Sequence, residues 1–319
     1  MGDKPKVALY WAASCGGCEI AVLDIAEHIL ELTAAVDLVF WPVALDFKYR
    51  DLEAMENKSI DLCLFNGAIR GSENRFMAEW LRAKSKLLVA FGSCSCFGGI
   101  PSLANLTTSS RIFQWVYEEA FSSDPADGEH PTPRYVADEG ILRLPRLFNT
   151  VRTLDQTVEV DYYLPGCPPE SGQVWAVLQA VLSGELPPRG SVVGASEKAL
   201  CDECERTKEE KKLRRFYSLA EKTPDPGRCL LEQGIVCCGP ATRGGCGARC
   251  LKANMPCRGC YGPPAGVRDQ GAKLVSAIGS VLEAGDQEGI DAAVATMQDP
   301  MGTFYRFGLA SSLLKRVRV

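Results

Sequence analysis

The number of cysteines is the strongest constraint on what this chain can fold into. The 319-residue sequence contains 15 cysteines, and nine of them fall between residues 201 and 260. No charged, apolar and small-residue series precedes the first apolar run at residues 7–11, so we expect no export signal and a cytoplasmic location. Thiols stay reduced in that compartment. The cysteines therefore predict metal ligation rather than disulfide bonds.

Composition excludes two other classes of protein. The chain is 46% hydrophobic and 24% charged, with a formal net charge of -5, as expected for a globular protein. No apolar run approaches the roughly 18 residues that a membrane span needs. Only residues 208–215 and 315–318 are basic, which is too little for the face that binds nucleic acid. We predict neither a membrane span nor a nucleic-acid partner.

Residues 5–184 have the pattern of an α/β domain, in which short apolar runs alternate with stretches of helical spacing. Crossovers of this length indicate a parallel sheet with helices on both faces, so we predict a five-stranded doubly wound sheet. The predicted strands are 6–11, 36–42, 60–66, 87–91 and 158–164, and the predicted helices are 19–32, 51–57, 73–83 and 171–182. Residues 109–149, with a polar segment at 122–133, are interpreted as a surface excursion without an assigned function.

The pattern changes after residue 184. A cysteine-rich span reaches residue 264 with frequent Gly and Pro and almost no periodic apolar pattern, so something other than a core should hold it together. Helical spacing returns afterwards, with helices predicted at 269–283 and 289–297. We therefore predict domains at 1–184 and 185–264, followed by a helical C-terminal extension at 265–319.

Four cysteines follow the ends of three predicted strands. Cys15 and Cys18 follow the first strand at a helix N-terminus, where backbone N–H groups favour thiolate. Cys94 follows the fourth strand and Cys167 the fifth, and carboxyl ends of parallel strands share one edge of a sheet. Any one of them alone would more often be a small buried hydrophobe. Four together are the ligand set of a [4Fe–4S] cluster, whereas a flavodoxin-type phosphate site would need hydroxyls where two cysteines stand.

The nine later cysteines include two Cys-x-x-Cys pairs, at 201–204 and 257–260. Structural zinc sites use the same spacing, so zinc stays open on this span alone. The cluster-like quartet in the same chain favours iron–sulfur chemistry, because electron carriers gain from several centres in series.

These motifs resemble those of [NiFe]-hydrogenase small subunits. The resemblance rests on the motifs Cys-Gly-Gly-Cys at 15–18, Gly-Ser-Cys at 92–94 and Leu-Pro-Gly-Cys-Pro-Pro at 164–169, and it continues in order through Cys-Cys-Gly-Pro at 237–240 and Pro-Cys-Arg-Gly-Cys at 256–260. It covers about residues 5–264. Within the family the chain is most similar to the cytoplasmic branch, that is, the gamma subunits of the deazaflavin-reducing hydrogenases and, above all, of the non-deazaflavin-reducing (methyl-viologen-reducing) enzyme linked to heterodisulfide reductase.

The resemblance implies a flavodoxin-like domain followed by a loop-rich iron–sulfur domain. It implies an electron-transfer subunit without catalytic residues of its own, which passes electrons from H₂ oxidation in a NiFe large subunit through three [4Fe–4S] clusters. Its partners would be that large subunit, a ferredoxin-like delta subunit, and heterodisulfide reductase or a similar flavoprotein. The implied ligands are Cys15, Cys18, Cys94 and Cys167 for the proximal cluster, Cys201, Cys204, Cys229 and Cys237 for the distal cluster, and Cys246, Cys250, Cys257 and Cys260 for the medial cluster.

Some positions depart from the family pattern or stay open. Periplasmic members have a histidine where this chain has Cys201, and a proline where Cys250 offers a fourth medial thiolate. The choice of Cys237 over Cys238 rests on the Cys-x-Gly-Pro segment. Glu19 stands one residue before the acid of many relatives, so a proton-transfer role and a simple helix-dipole role are both open.

Three other interpretations remain. The chain could be the gamma subunit of a deazaflavin-reducing hydrogenase, which shares these motifs. It could be another cluster-bearing subunit with the same sheet, such as the complex I subunit with the terminal cluster, although that relative lacks the second cysteine span. It could also be a zinc-stabilised interaction protein. Cys63, inside the third predicted strand, is interpreted as core, and Cys96 lies beside a ligand.

Overall fold

The structure is a computed structural model that describes residues 4–124, 128–210 and 212–314. Its strands are β1 (Lys6–Trp11), β2 (Asp37–Phe40), β3 (Ile60–Asn66), β4 (Ile69–Gly71), β5 (Ser85–Phe91), β6 (Arg134–Ala137), β7 (Gly140–Arg143), β8 (Leu147–Arg152) and β9 (Tyr162–Leu164). Its α-helices are α1 (Gly17–Leu23), α2 (His28–Ala35), α3 (Tyr49–Ala54), α4 (Ser72–Lys84), α5 (Ser93–Phe97), α6 (Ser109–Gln114), α7 (Ser171–Ser183), α8 (Arg249–Lys252), α9 (Gln270–Val281), α10 (Gln287–Ala295) and α11 (Pro300–Phe304).

Five parallel strands form the central sheet in the order β2-β1-β3-β5-β9. Numbered along the sheet strands alone, this is the 2-1-3-4-5 order of flavodoxin-like folds. The predicted α/β class and doubly wound sheet are therefore confirmed. The order places the carboxyl ends of β1, β5 and β9 at one edge, where the first cysteines follow.

Alternation along β3 shows how the two faces of the sheet are covered. Leu62 and Leu64 pack in the core that also contains α1 and α7, while Cys63 and Phe65 pack in the core that contains α4. Both faces are buried, which explains why the strand is a nearly continuous apolar run in the sequence. Cys63 is wholly buried, as the sequence predicted.

The predicted helix at 19–32 is two helices. α1 ends at Leu23, and α2 begins at His28 after a turn in which Ala26 adopts a left-handed φ of 57°. A left-handed residue interrupts the helical hydrogen-bond ladder. The spacing of apolar residues continues through this turn, so periodicity alone could not detect the break.

The excursion at residues 109–149 contains more structure than the sequence indicated. α6 continues into one π-helical turn at Trp115–Glu119, and β6 and β7 form an antiparallel hairpin. β8 then returns to pair antiparallel with β4. Residues 125–127 of the predicted polar segment lie outside the described residues.

The cysteine-rich region is loop-rich, with short 3₁₀ helices at Leu200–Asp202, Leu231–Gln233 and Gly239–Ala241. The prediction that it lacks a core is wrong. Phe216, Leu230 and Leu251 form a small core with Leu274 and Ile278 of α9. These apolar residues are irregularly spaced in loops, so a search for periodicity misses them.

The C-terminal extension packs on both parts of the chain. The backbone of Leu282 in the extension forms a β-bridge with Leu213 of the cysteine-rich region. On the first domain, the Gly99 N–H donates to the Phe307 carbonyl at 3.0 Å, and Gln156 Nε2 donates to the Ala310 carbonyl at 2.8 Å. Among the described residues, no helix combines the length and apolar character that crossing a membrane requires.

Candidate metal centres

The structure brings together the four cysteines of the predicted proximal set. Cys15 follows β1, Cys18 lies in the first turn of α1, Cys94 lies in α5 after β5, and Cys167 follows β9. Cys18 and Cys94 are buried, whereas Cys15 and Cys167 are exposed. The set is therefore built on the sheet edge and opens to the surface.

Backbone hydrogen bonds fix the strand ends that carry these thiols. The Gly92 N–H donates to the Leu164 carbonyl, and the Ser93 N–H donates to the Gly166 carbonyl, both at 2.8 Å. These two bonds extend the β5–β9 pairing beyond the strands. They hold Cys94 and Cys167 on neighbouring loops.

Glycine is needed where backbone approaches these sulfurs. A Cβ on Gly92 would lie 2.3 Å from Cys18 Sγ, and a Cβ on Gly99 would lie 2.5 Å from Cys94 Sγ. Both residues also have positive φ, at 84° and 55°. Side chains here would fill the space beside the thiols, so the glycines keep a cradle open for a bound group.

The chemistry of this cradle fits a cluster with positive metal ions. Burial raises the pKa of the Cys94 thiol to about 12, with a further contribution from Cys167 and Cys15. Burial likewise raises the pKa of Cys18, and neighbouring thiols raise it further. Four thiolates this close together need bound cations to hold them deprotonated. In the described part of the chain, no three Cys, His, Asp or Glu side chains are grouped so as to hold one metal ion.

Glu19 is buried beside this set. Its Oε2 accepts a hydrogen bond from Trp41 Nε1 at 2.5 Å. Burial raises the pKa of the Glu19 carboxyl, and the hydrogen bond from Trp41 lowers it. The residue therefore faces the interior and is not a solvated acid at a helix N-terminus.

The predicted distal cysteines line one cavity of about 400 Å³. They are Cys201, Cys204, Cys229 and Cys237. Burial raises the pKa of the Cys201 thiol to about 12, and the other three thiols add to this effect while Lys208 opposes it. Gly239 lines the same cavity, where a Cβ would lie 3.3 Å from Cys201 Sγ. Donor type, space and glycine all fit a cluster here.

Cys237 and Cys238 point in different directions. Cys237 lines the distal cavity, whereas Cys238 Sγ lies 4.0 Å from the Thr303 carbonyl of α11. This geometry favours Cys237 as the distal ligand.

Sequence reasoning missed Arg206, which organises the loops around the distal set. Its buried guanidinium donates to the carbonyls of Asp225 and Arg228 at 2.9 and 3.0 Å, and to the Leu251 carbonyl and Asn254 Oδ1 at 2.9 and 2.7 Å. The residue stands in a run of charged residues, where an arginine is usually solvated. No signal in the sequence distinguishes it.

The predicted medial set is less evenly grouped. Burial raises the pKa of the Cys260 thiol to about 12, and the neighbouring Cys246 and Cys250 thiols raise it further. Burial raises the pKa of Cys257, and the thiols that add to this effect are Cys237 and Cys238. Cys257 therefore lies beside Cys237 and Cys238 of the cysteine-rich core.

The three sets adjoin one another. The Cys167 thiol adds to the raised pKa of Cys260, and the Cys237 thiol adds to that of Cys257, so the two thiols of each pair lie close together. The Cys238 N–H also donates to the Cys257 carbonyl at 3.0 Å. Ser93 Oγ adds a hydrogen bond to the Cys260 carbonyl. The three sets thus form a row with the medial set in the middle.

Comparison with known proteins gives consistent results. Residues 15–181 match the family described as NADH ubiquinone oxidoreductase, 20 Kd subunit. The iron-sulfur subunit of the F420-non-reducing hydrogenase of Archaeoglobus profundus is 39% identical over 317 residues, which is 98% of each chain. The corresponding subunit of the F420-non-reducing hydrogenase of Methanothermobacter thermautotrophicus is 34% identical over 321 residues, covering 98% of this chain and 97% of that protein.

A solved structure supports the same relationship. A chain in the NAD+-reducing [NiFe]-hydrogenase in the H2-reduced state is 30% identical and superposes with a TM-score of 0.50. The superposition covers 58% of this chain and 94% of that chain.

Proposed function

The chain belongs to the [NiFe]-hydrogenase small-subunit family, together with the matching subunits of F420-non-reducing hydrogenases. We propose that it carries electrons through three [4Fe–4S] clusters. As a member of that family it is an iron–sulfur, electron-transfer subunit of an oxidoreductase complex and pairs with a large subunit. We propose in addition how many clusters it holds, which cysteines bind each cluster and which further partners the chain has.

The observation that carries the proposal is the row of three adjoining cysteine sets, in which Ser93 Oγ donates to the Cys260 carbonyl and the Cys238 N–H donates to the Cys257 carbonyl. Cys15, Cys18, Cys94 and Cys167 would bind the proximal cluster, Cys201, Cys204, Cys229 and Cys237 the distal cluster, and Cys246, Cys250, Cys257 and Cys260 the medial cluster. When bound, each cluster would accept and release one electron at a time. The chain's own contribution is to hold the ligands and to bring Cys167 next to Cys260 and Cys257 next to Cys237.

The proximal edge is the proposed face for the large subunit. Exposed apolar side chains follow the proximal cysteines along the chain: Ile20 and Leu23 in α1 after Cys18, and Ile100 after α5, which carries Cys94. We call these three residues the proximal rim. Obligate interfaces are rich in such residues and bury more than about 2,000 Å². The large subunit would hold nickel and iron, so this chain alone would have no hydrogen-oxidising activity.

The distal cavity is the proposed exit for electrons. Its lining includes Lys208, which is exposed, and Ala277, Ser280 and Val281 of α9. The relatives named F420-non-reducing favour an acceptor other than deazaflavin, and we propose a ferredoxin-like delta subunit and heterodisulfide reductase in a cytoplasmic complex. A gamma subunit of a deazaflavin-reducing hydrogenase is the second candidate, because the same ligand pattern serves both.

Metal analysis of the anaerobically purified chain tests the cluster count. Three [4Fe–4S] clusters predict about twelve irons and twelve acid-labile sulfides in this chain. Two or three zinc atoms with little iron would show instead that the chain is a zinc-stabilised protein.

The Cys250→Pro variant tests the medial ligand set, and it should show the spectrum of a three-iron medial cluster in spin resonance. A three-iron signal in the unsubstituted, oxygen-free protein would show instead that Cys250 is not a ligand.

A further inference from the structure

The excursion between α5 and β8 presents an unusual surface. We define the arm as residues 109–124 and 128–146, which contain α6, the π-helical turn and the β6–β7 hairpin. Tyr135 and Leu142 are opposite each other in the hairpin and are 63% and 60% exposed. Val136 and Ile141 are the next pair, on the other face, at 62% and 50%. Within the described residues, the hairpin is therefore bare on both faces.

This degree of exposure is costly in water. A two-stranded hairpin is marginally stable by itself and needs a third strand or a packed face. Trp115 of the π-helical turn is more than half exposed, and Phe121, in the turn that follows, is fully exposed. Apolar patches of this kind mark surfaces that bind another protein.

The two faces of the hairpin differ in chemistry. Alternation along the strands places Tyr135 and Leu142 on an apolar face. The opposite face carries Val136 and Ile141 with the exposed Arg134 and Arg143 at its end. A partner would therefore need an apolar cleft with carboxylates along one wall.

The base of the arm lies at the proximal cysteines. Val151 of β8 packs on Cys94, and its backbone is held by Asn105 at 2.7 and 3.0 Å. β8 pairs with β4, which follows the carboxyl end of β3. The chain therefore enters the arm from the segment that begins at Ile100 of the proximal rim, and it leaves the arm along β8 toward Val151 beside Cys94.

We propose that the arm clasps the hydrogenase large subunit, with the hairpin seated in an apolar cleft that is acidic on one side. This proposal rests on the proposed function, since it takes the proximal edge to be the face for that subunit. Continuity with the rim favours the large subunit over a second copy of this chain or an electron acceptor. An acceptor would be expected at the distal cavity.

Site-specific photo-crosslinking in the intact complex tests the proposal. The photo-crosslinker p-benzoylphenylalanine is placed at Tyr135 or Ile141, with Ile20 of the rim as a reference and Val275 of α9 as a distant exposed control. Mass spectrometry should identify the large subunit as the product at Tyr135, Ile141 and Ile20, but not at Val275. Products at Tyr135 with a second copy, with an acceptor subunit or with nothing, while Ile20 reaches the large subunit, would overturn the arm proposal and leave the proposed function intact. If Ile20 also misses the large subunit, the proposed face is wrong as well.

A second measurement asks whether the arm contributes binding energy. Tyr135→Ser combined with Leu142→Ser should raise the dissociation rate of the large subunit by roughly tenfold or more, as loss of buried anchors usually does. Val275→Ser combined with Val294→Ser removes two exposed apolar side chains elsewhere and should leave that rate unchanged. Iron content should be equal in both, since the arm holds no cluster ligand. An unchanged dissociation rate in the arm variant would contradict the proposal.

Discussion

The sheet domain and the cysteine-rich region hold their cysteines in opposite ways. In the sheet domain, large apolar side chains such as Phe40, Phe65 and Phe91 fill the core, and the proximal thiols stand at its edge. In the cysteine-rich region, the core consists of a few apolar residues together with the ligand thiols, among them Cys237 and Cys257. The first region can place its ligands before metal binds. The second depends on its ligands to complete the fold.

Burial of free thiols sharpens this difference. Burial raises the pKa of Cys237 and of Cys257, so each is a protonated, neutral thiol when no metal is present. Binding of iron must release those protons, which couples metal binding to the folding of the surrounding loops. Burial raises the pKa of Cys18 and Cys94 as well, but in the sheet domain large apolar side chains fill the core around Cys18, so we expect the sheet to fold without metal.

Removal of iron should separate the two regions. Anaerobic chelation is expected to raise amide hydrogen exchange in residues 200–260 by about a thousandfold or more, toward the unfolded limit. β1, β3 and β5 should stay protected, because their core contains no cluster ligand other than Cys18. Hydrogen exchange followed by mass spectrometry measures both. Equal loss of protection in both regions would show that the sheet also depends on metal.

The sequence predicted the sheet better than the cysteine-rich region, and the reason is physical. β3 and β5 are buried on both faces, so each strand is marked in the sequence by a continuous apolar run. The turn at Ala26 and the β6–β7 hairpin depend on single residues and on exposure, which leave no periodic signal. The small core around Phe216 is assembled from loops, and only the tertiary structure reveals it.

The candidate sites follow the same rule. The strand-end positions were enough to predict the proximal group, whereas the distal group was implied only by the family resemblance, because spacing alone leaves several groupings of the later cysteines open. Arg206 could not be found this way, since its role rests on four acceptors that only the folded loops bring together. The direction of Cys238 away from the distal cavity is likewise a tertiary property.

A matched pair of cysteine variants tests whether ligand and core roles can be separated within the second region. Cys237→Ala should lose the distal cluster, about four irons of twelve, and should weaken protection around residues 229–241. Cys238→Ala removes an equally buried thiol of the same core and should keep all the iron. Iron analysis and spin resonance measure both. If only Cys238→Ala loses iron, then Cys238 and not Cys237 is the distal ligand.

The proximal edge offers a smaller test of the claim that it is preformed. Gly92→Ala would place a Cβ 2.3 Å from Cys18 Sγ at a positive φ, so we expect partial loss of proximal iron together with about 1–2 kcal/mol of strain. Gly184→Ala is the control, because Gly184 also has positive φ but no atom lies within 4 Å of the added Cβ. Gly184→Ala should lower the free energy of unfolding by about the same amount as Gly92→Ala, and it should lose no iron. Equal iron content in both variants would mean that the edge yields to the added methyl group.

The smallest expected effect concerns Glu19, whose burial the sheet domain tolerates because its core is stable without metal. The pKa of this carboxyl is raised in the folded state, so the folded chain binds the proton more tightly than the unfolded chain does. The free energy of unfolding is therefore highest below the unfolded pKa and falls as pH rises through the folded pKa.

Glu19→Gln keeps an acceptor for Trp41 without the charge, so it should raise the free energy of unfolding at pH 7 by about 1 kcal/mol and change it little near pH 4. Glu53→Gln, at an exposed position of α3, is the control for a charge removed at the surface. Anaerobic urea unfolding followed by tryptophan fluorescence at several pH values measures the difference. If Glu19→Gln instead lowers the free energy of unfolding at pH 7 and not at pH 4, the ionised carboxylate must be stabilised by a favourable partner at the proximal edge.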